Sequence, residues 1–109
     1  MSESVVDEKV ALNIAEQLNQ AWMNHTKHQN EQALPIFEAI VNQEPTHIDA
    51  NYGLGLTLAA LGQKDRARQV FQHAAELVDS QVKQMSPDDE DARFTMLARM
   101  IAQKLDTLK

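Results

Sequence analysis

The sequence predicts an all-α domain of five antiparallel helices, and three observations predict it. Apolar residues recur at the spacing of a helix face and nowhere alternate with polar ones over a strand's length. Only three Gly and three Pro interrupt 109 residues. Each apolar stripe is bounded by residues that start or stop helices, and the connections between them are short. At 43% apolar and 24% charged residues, the composition is that of one folded domain rather than a disordered segment.

A first helix over residues 7–27 gathers Val10, Ala11, Ile14, Ala15, Leu18, Ala21, Trp22 and His25 on one face. A polar break follows at His28, Gln29 and Asn30, with Asn30 as the expected cap of the next helix. The second helix, 31–43, carries Ala33, Leu34, Ile36, Phe37, Ile40 and Val41. Pro35 lies about one turn in, which predicts a late start or slight bend rather than a break. Pro45 stops this helix, and Thr46 with Asp49 three residues on predicts a capping-box-like start for a third, 47–61. Gly62 ends that helix as a C-terminal glycine does. The fourth, 64–84, presents Ala67, Val70, Phe71, Ala74, Ala75, Leu77 and Val78. Ser86, Pro87, Asp88 and Asp89 form the strongest start signal in the chain: a cap, a proline suited to the first helical position, and acids facing the positive end of the dipole. The fifth helix therefore runs over 86–108.

Shifted by 34 residues, the sequence matches itself. Ile14 falls on Ile48, Leu18 on Tyr52, Ala21 on Gly55, Ala33 on Ala67, Ile36 on Val70, Phe37 on Phe71 and Ile40 on Ala74. Two helix–turn–helix units of this length resemble the tetratricopeptide repeat family. The better match is the second unit, 48–81, with Leu54, Gly55, Leu58, Gly62, Ala67, Phe71 and Ala74 in the family's pattern. Gly55 and Ala67 are small where paired helices approach closely. Gly53 has no such explanation in the pattern, although glycine inside a helix costs about 0.5–1 kcal/mol relative to alanine. The first unit, 14–47, keeps Ala21, Ala33, Phe37 and Pro45 but has Gln20 and Asn24 where apolar residues are expected, so its first helix is expected to be rotated or bent. The fold class is thus a short α-solenoid within one domain, 1–109, closed by a capping helix over 86–109.

The resemblance implies a function. Members bind partner peptides or helices on a concave side lined by the first helix of each unit. Carried over, the groove positions are Ala15, Leu18, Trp22, His25 and Thr26, then Asp49, Tyr52, Leu56 and Ala59. Members that clamp a C-terminal carboxylate use Lys, Arg and Asn at such positions. Here Leu18, Trp22, Tyr52 and Leu56 stand there, which argues against that kind of ligand. Trp22 and Tyr52 are the only Trp and Tyr in the chain, residue types that often dominate interface energies. Asp49 at the rim would favour a partner carrying Lys or Arg.

On the fifth helix, Phe94, Leu97, Ala98, Ile101, Leu105 and Leu108 form a stripe expected to cover the open end of the fourth. Met96 and Met100 fall on its other side, as an adaptable contact surface or the face of a homodimer.

Other classes find little support. Ten Lys and Arg against sixteen Asp and Glu give a net charge of −6, the wrong sign for a phosphate backbone or an anionic membrane. There is no apolar run of about 18 residues, and residues 1–9, MSESVVDEK, are too acidic for a secretory leader. The absence of cysteine removes disulfides, thiol catalysis and thiolate metal sites, and makes the cytoplasm the default compartment. His25 and His28 are spaced to share an ion but lack a third ligand nearby. The acids at 88–91 lack the spacing and glycine of a calcium loop. No phosphate loop or hydrolase motif occurs. The expectation is a non-enzymatic adaptor without cofactor that binds another protein, the alternative being a self-associating homodimer.

Overall fold

The structure is a computed structural model and describes residues 3–84 and 92–108. Five helices, α1 (Glu3–Thr26), α2 (Asn30–Gln43), α3 (Ile48–Ala60), α4 (Lys64–Gln84) and α5 (Ala92–Thr107), follow one another with no strand among the described residues. Each packs on the next, and α1 also touches α3. The protein is an all-α stack of two helical hairpins plus a closing helix.

The 34-residue correspondence is visible in the core. Ala33 and Ala67, Phe37 and Phe71, and Ile40 and Ala74 are all fully buried. The two phenylalanines explain both glycines of α3. A methyl group on Gly55 would sit 2.6 Å from the Phe71 ring, and one on Gly53 would collide with the Phe37 ring. Each glycine is therefore a seat for the aromatic ring of one repeat, which accounts for Gly53. Thr57, buried on the same helix, donates to the Gly53 carbonyl at 2.8 Å.

The turns inside the two hairpins repeat as well. Gln29 N–H donates to Asn24 O at 2.8 Å and His28 N–H to His25 O at 3.0 Å; Gln63 N–H donates to Leu58 O at 2.9 Å and Gly62 N–H to Ala59 O at 3.1 Å. Both are Schellman endings, and each needs a left-handed residue. Gly62 supplies one at φ 82°, whereas His28, its counterpart, adopts φ 63° as a non-glycine. Such a conformation costs a side-chain-bearing residue about 1–2 kcal/mol. His28→Gly should accordingly raise stability by about 1 kcal/mol, read as a higher urea midpoint; an unchanged or lower midpoint would show that the imidazole compensates for the strain.

Several local expectations are corrected. Asn30 does not cap α2: the preceding residue, Gln29, holds the cap position without a side-chain bond, and Asn30 Oδ1 accepts from His25 Nδ1 at 2.7 Å. The helix does not start late, since it begins at Asn30 and carries Pro35 inside. Pro35 deprives the Glu31 carbonyl of its donor, but Glu31 is exposed and water can replace it. Thr46 does not cap α3; His47 does, its Nδ1 accepting from Ala50 N–H at 3.1 Å. The chain enters α3 one residue later than the capping-box spacing requires because Glu44 and His47 close a turn around Pro45 (3.1 Å). Buried Asn51 fastens that turn, donating to Pro45 O at 3.0 Å and His47 O at 2.8 Å, and His73 from α4 also donates to Pro45 O at 3.0 Å. His47→Ala should lose about 1 kcal/mol and His47→Ser little of it, as thermal melts would reveal; equal losses in both would mean the ring acts by packing.

Asn24, the counterpart of Leu58, is 9% exposed and accepts from Gln20 Nε2 at 3.2 Å. An amide–amide bond therefore lets a polar residue occupy an inward position of α1. The start signal at 86–89 lies outside the described residues.

Candidate functional site

The expected groove positions lie on α1 and α3, and the expected second contact surface, Met96 and Met100, lies on the closing helix α5. The structure divides those positions into two regions.

The first region is an aromatic row across α1 and α3. Trp22 is half-buried, its ring edge-on to Phe37 with centroids 5.3 Å apart, 5.9 Å from His25 and 6.4 Å from Tyr52. Tyr52 continues the row to Phe71 at 6.0 Å. Tyr52 is only 7% exposed, so most of its ring packs between the repeats and little is left for a ligand. Burial raises its phenol above the ordinary 10.0, since a phenolate there would lose its water. Leu18 and Leu56 are partly buried against the core. His25 is half-buried, and its Nδ1 must carry the proton because Asn30 Oδ1 can only accept. Ala15 and Thr26 are exposed and Ala59 is half-buried.

The second region is a cleft of about 380 Å³ between the start of α3 and α5. Residues 46–49 form one wall, and Arg93, Phe94, Met96, Leu97 and Met100 form the other. Asp49, expected at the rim of the first-helix groove, is found here in the first turn of α3, where the positive end of the helix favours its charge. Met96 and Met100, expected to form a separate surface, line the same cleft and are 63% and 39% exposed. Phe94 and Leu97, read from the sequence as cover for α4, also serve it, with the Arg93 guanidinium 5.4 Å above the Phe94 ring.

This convergence was missed because helical spacing separates the Met96/Met100 face from the Phe94/Leu97 stripe. A sequence signal existed: α5 follows the second hairpin where the first helix of a third unit would stand, and so belongs with α1 and α3.

Chemically, the cleft is an apolar, polarisable wall with an acid and a cation at its mouth. Methionines have no branch and bend to fit irregular shapes, which suits a bulky apolar side chain. His47 is the cleft's imidazole, but its Nδ1 is already engaged by the backbone. Among the described residues, no three His, Asp or Glu side chains gather closely enough to hold a metal ion. Nor is any described helix long and apolar enough to cross a membrane.

A family model described as Tetratricopeptide repeat matches residues 25–84, more than half of the chain. Among curated proteins and among solved structures, nothing matches.

Proposed function

Because the chain belongs to the tetratricopeptide repeat family, whose general role is protein–protein interaction, we propose that it is a non-enzymatic adaptor that seats an apolar anchor of a partner protein in the α3/α5 cleft. The observation that carries this reading is the meeting of Asp49 with Met96, Met100 and Leu97 in one cavity. Its volume accommodates about one large side chain and its first neighbours. A partner helix or extended segment would place Leu, Met or Phe against the methionines and a Lys or Arg near Asp49. Apolar burial at roughly 25 cal/mol per Å² supplies the affinity, and the charge contributes mainly to encounter rate. Leu18, Trp22, His25 and Leu56 extend the binding surface along α1 and α3, with the largely buried Tyr52 packed beside Trp22. No cofactor and no nucleic acid enter this reading.

The test is capture of the partner from a lysate by the tagged chain, its identification by mass spectrometry, and then titration with purified variants. Met96→Glu with Met100→Glu changes two exposed side chains and should weaken binding by about tenfold or more, with the circular dichroism unchanged. If the partner still binds, and binding is lost instead on Trp22→Ala with the fold intact, the aromatic row is the working surface and the cleft is idle.

A further inference from the structure

A second apolar groove lies on the other side of α5, between it and α4, and encloses about 460 Å³. It owes its form to a difference between the hairpins. The helix α4 has 21 residues where α2 has 14, about two turns more. The extra turns carry Val82, which stands 46% exposed although it belongs to the same apolar wall as buried Val78. The α5 wall is open at its centre: Ala98 and Ala102, one turn apart and both exposed, lie between the larger Phe94 and Leu105. The groove is therefore a surface of the kind that an additional helix would cover.

We propose that the occupant is a second copy of this chain, related by a two-fold axis that packs each α5 into the other copy's α4/α5 groove. This proposal does not rest on the partner-binding cleft, which lies on the other side of α5 and shares only Phe94 with this groove. Two features point to self-association rather than a foreign helix. First, the exposed alanines at the centre of the groove leave room for a helix to approach closely there, and α5 itself carries a matching pair, Ala98 and Ala102. Second, the charges along the groove are complementary to themselves. Asp79 stands on the α4 wall and Arg99 on the α5 wall. Arg99 forms no ion pair among the described residues, and Asp79 is held only by Lys83 at 3.0 Å, an exposed pair of little worth. A two-fold operation sets Arg99 of each copy toward Asp79 of the other, so that one contact is made twice and the assembly closes at two.

The expected strength follows from size. Two helices side by side over the length of α5 present a face of about 24 by 20 Å, or on the order of 500 Å² per copy. Twice that just reaches the roughly 1,000 Å² at which specific interfaces begin, which places the dimer among weak, reversible assemblies.

Sedimentation equilibrium on the full chain, from about 1 to 300 μM, should show reversible monomer–dimer exchange without larger species. Ala98→Glu with Ala102→Glu alters two exposed alanines and should leave a monomer throughout, with an unchanged thermal melt. Arg99→Glu alone should weaken the dimer by about tenfold, since both copies lose the contact. Adding Asp79→Arg should restore most of that loss. A strict monomer at the highest concentration, growth beyond the dimer, a dimer indifferent to the two glutamates, or a charge exchange that restores nothing would each overturn the proposal.

Discussion

Replacing Phe71 by Ala should lower stability by about 3–5 kcal/mol, a large fraction of the total. The ring is fully buried, lies against Gly55 and stands 6.0 Å from Tyr52, so it joins the two helices of its own hairpin and reaches the aromatic row. A domain of this size rarely has more than about 5–15 kcal/mol in hand. Urea denaturation would measure the loss, and an unchanged midpoint would refute the packing described above. The glycine opposite provides a sharper version. Gly55→Ala should destabilise the native chain, because a methyl group 2.6 Å from the ring forces the ring aside. In a Phe71→Leu background the same change should cost about 1–2 kcal/mol less, a coupling that a double-mutant cycle reads directly. If the two changes simply add, the ring and the glycine do not lock.

The second large effect concerns α5. Deleting residues 90–109 should cause aggregation or abolish the cooperative melt. Ile101 is fully buried and Leu108 nearly so, both packed within the main core cluster with Val78 and Phe71. Arg68 Nη2 also donates to the Leu108 carbonyl at 2.8 Å, tying the end of α5 to α4. Removing the helix returns this apolar surface to water and exposes the inner face of α4. Ile101→Asp tests the same contact without shortening the chain, and should be nearly as damaging because it buries an unpaired charge. A truncated chain that stays soluble, monomeric and as stable as the original would assign the apolar stripe to a partner instead of to the core.

The number of helices, their approximate limits and their pairing were legible because apolar spacing records the face that each helix buries. The repeat was legible because equivalent positions face equivalent neighbours: Phe37 and Phe71 are both core residues for the same reason. Helix starts were less legible. Thr46 and Asn30 have good capping chemistry, but the positions fell to His47 and Gln29, since the path of the turn around Pro45 and the Schellman ending at His28 decide where a helix begins. The candidate site was legible in its parts and not in its grouping. Tyr52 and Asp49 are close in sequence on one helix, yet one closes the core and the other opens into a cleft.

The sequence by itself determined an all-α chain of repeated helical hairpins, the family pattern, and the residues that pack inside. Only the tertiary structure decided that Gly53 seats Phe37, that Asp49 meets Met96 and Met100, and that Val82 is left beside a groove opened by Ala98 and Ala102 of α5. The physical reason is a difference of range. Periodicity and capping act within a few residues along the chain. Which faces meet across helices depends on how side chains of unequal size set the distance and angle at which those helices cross.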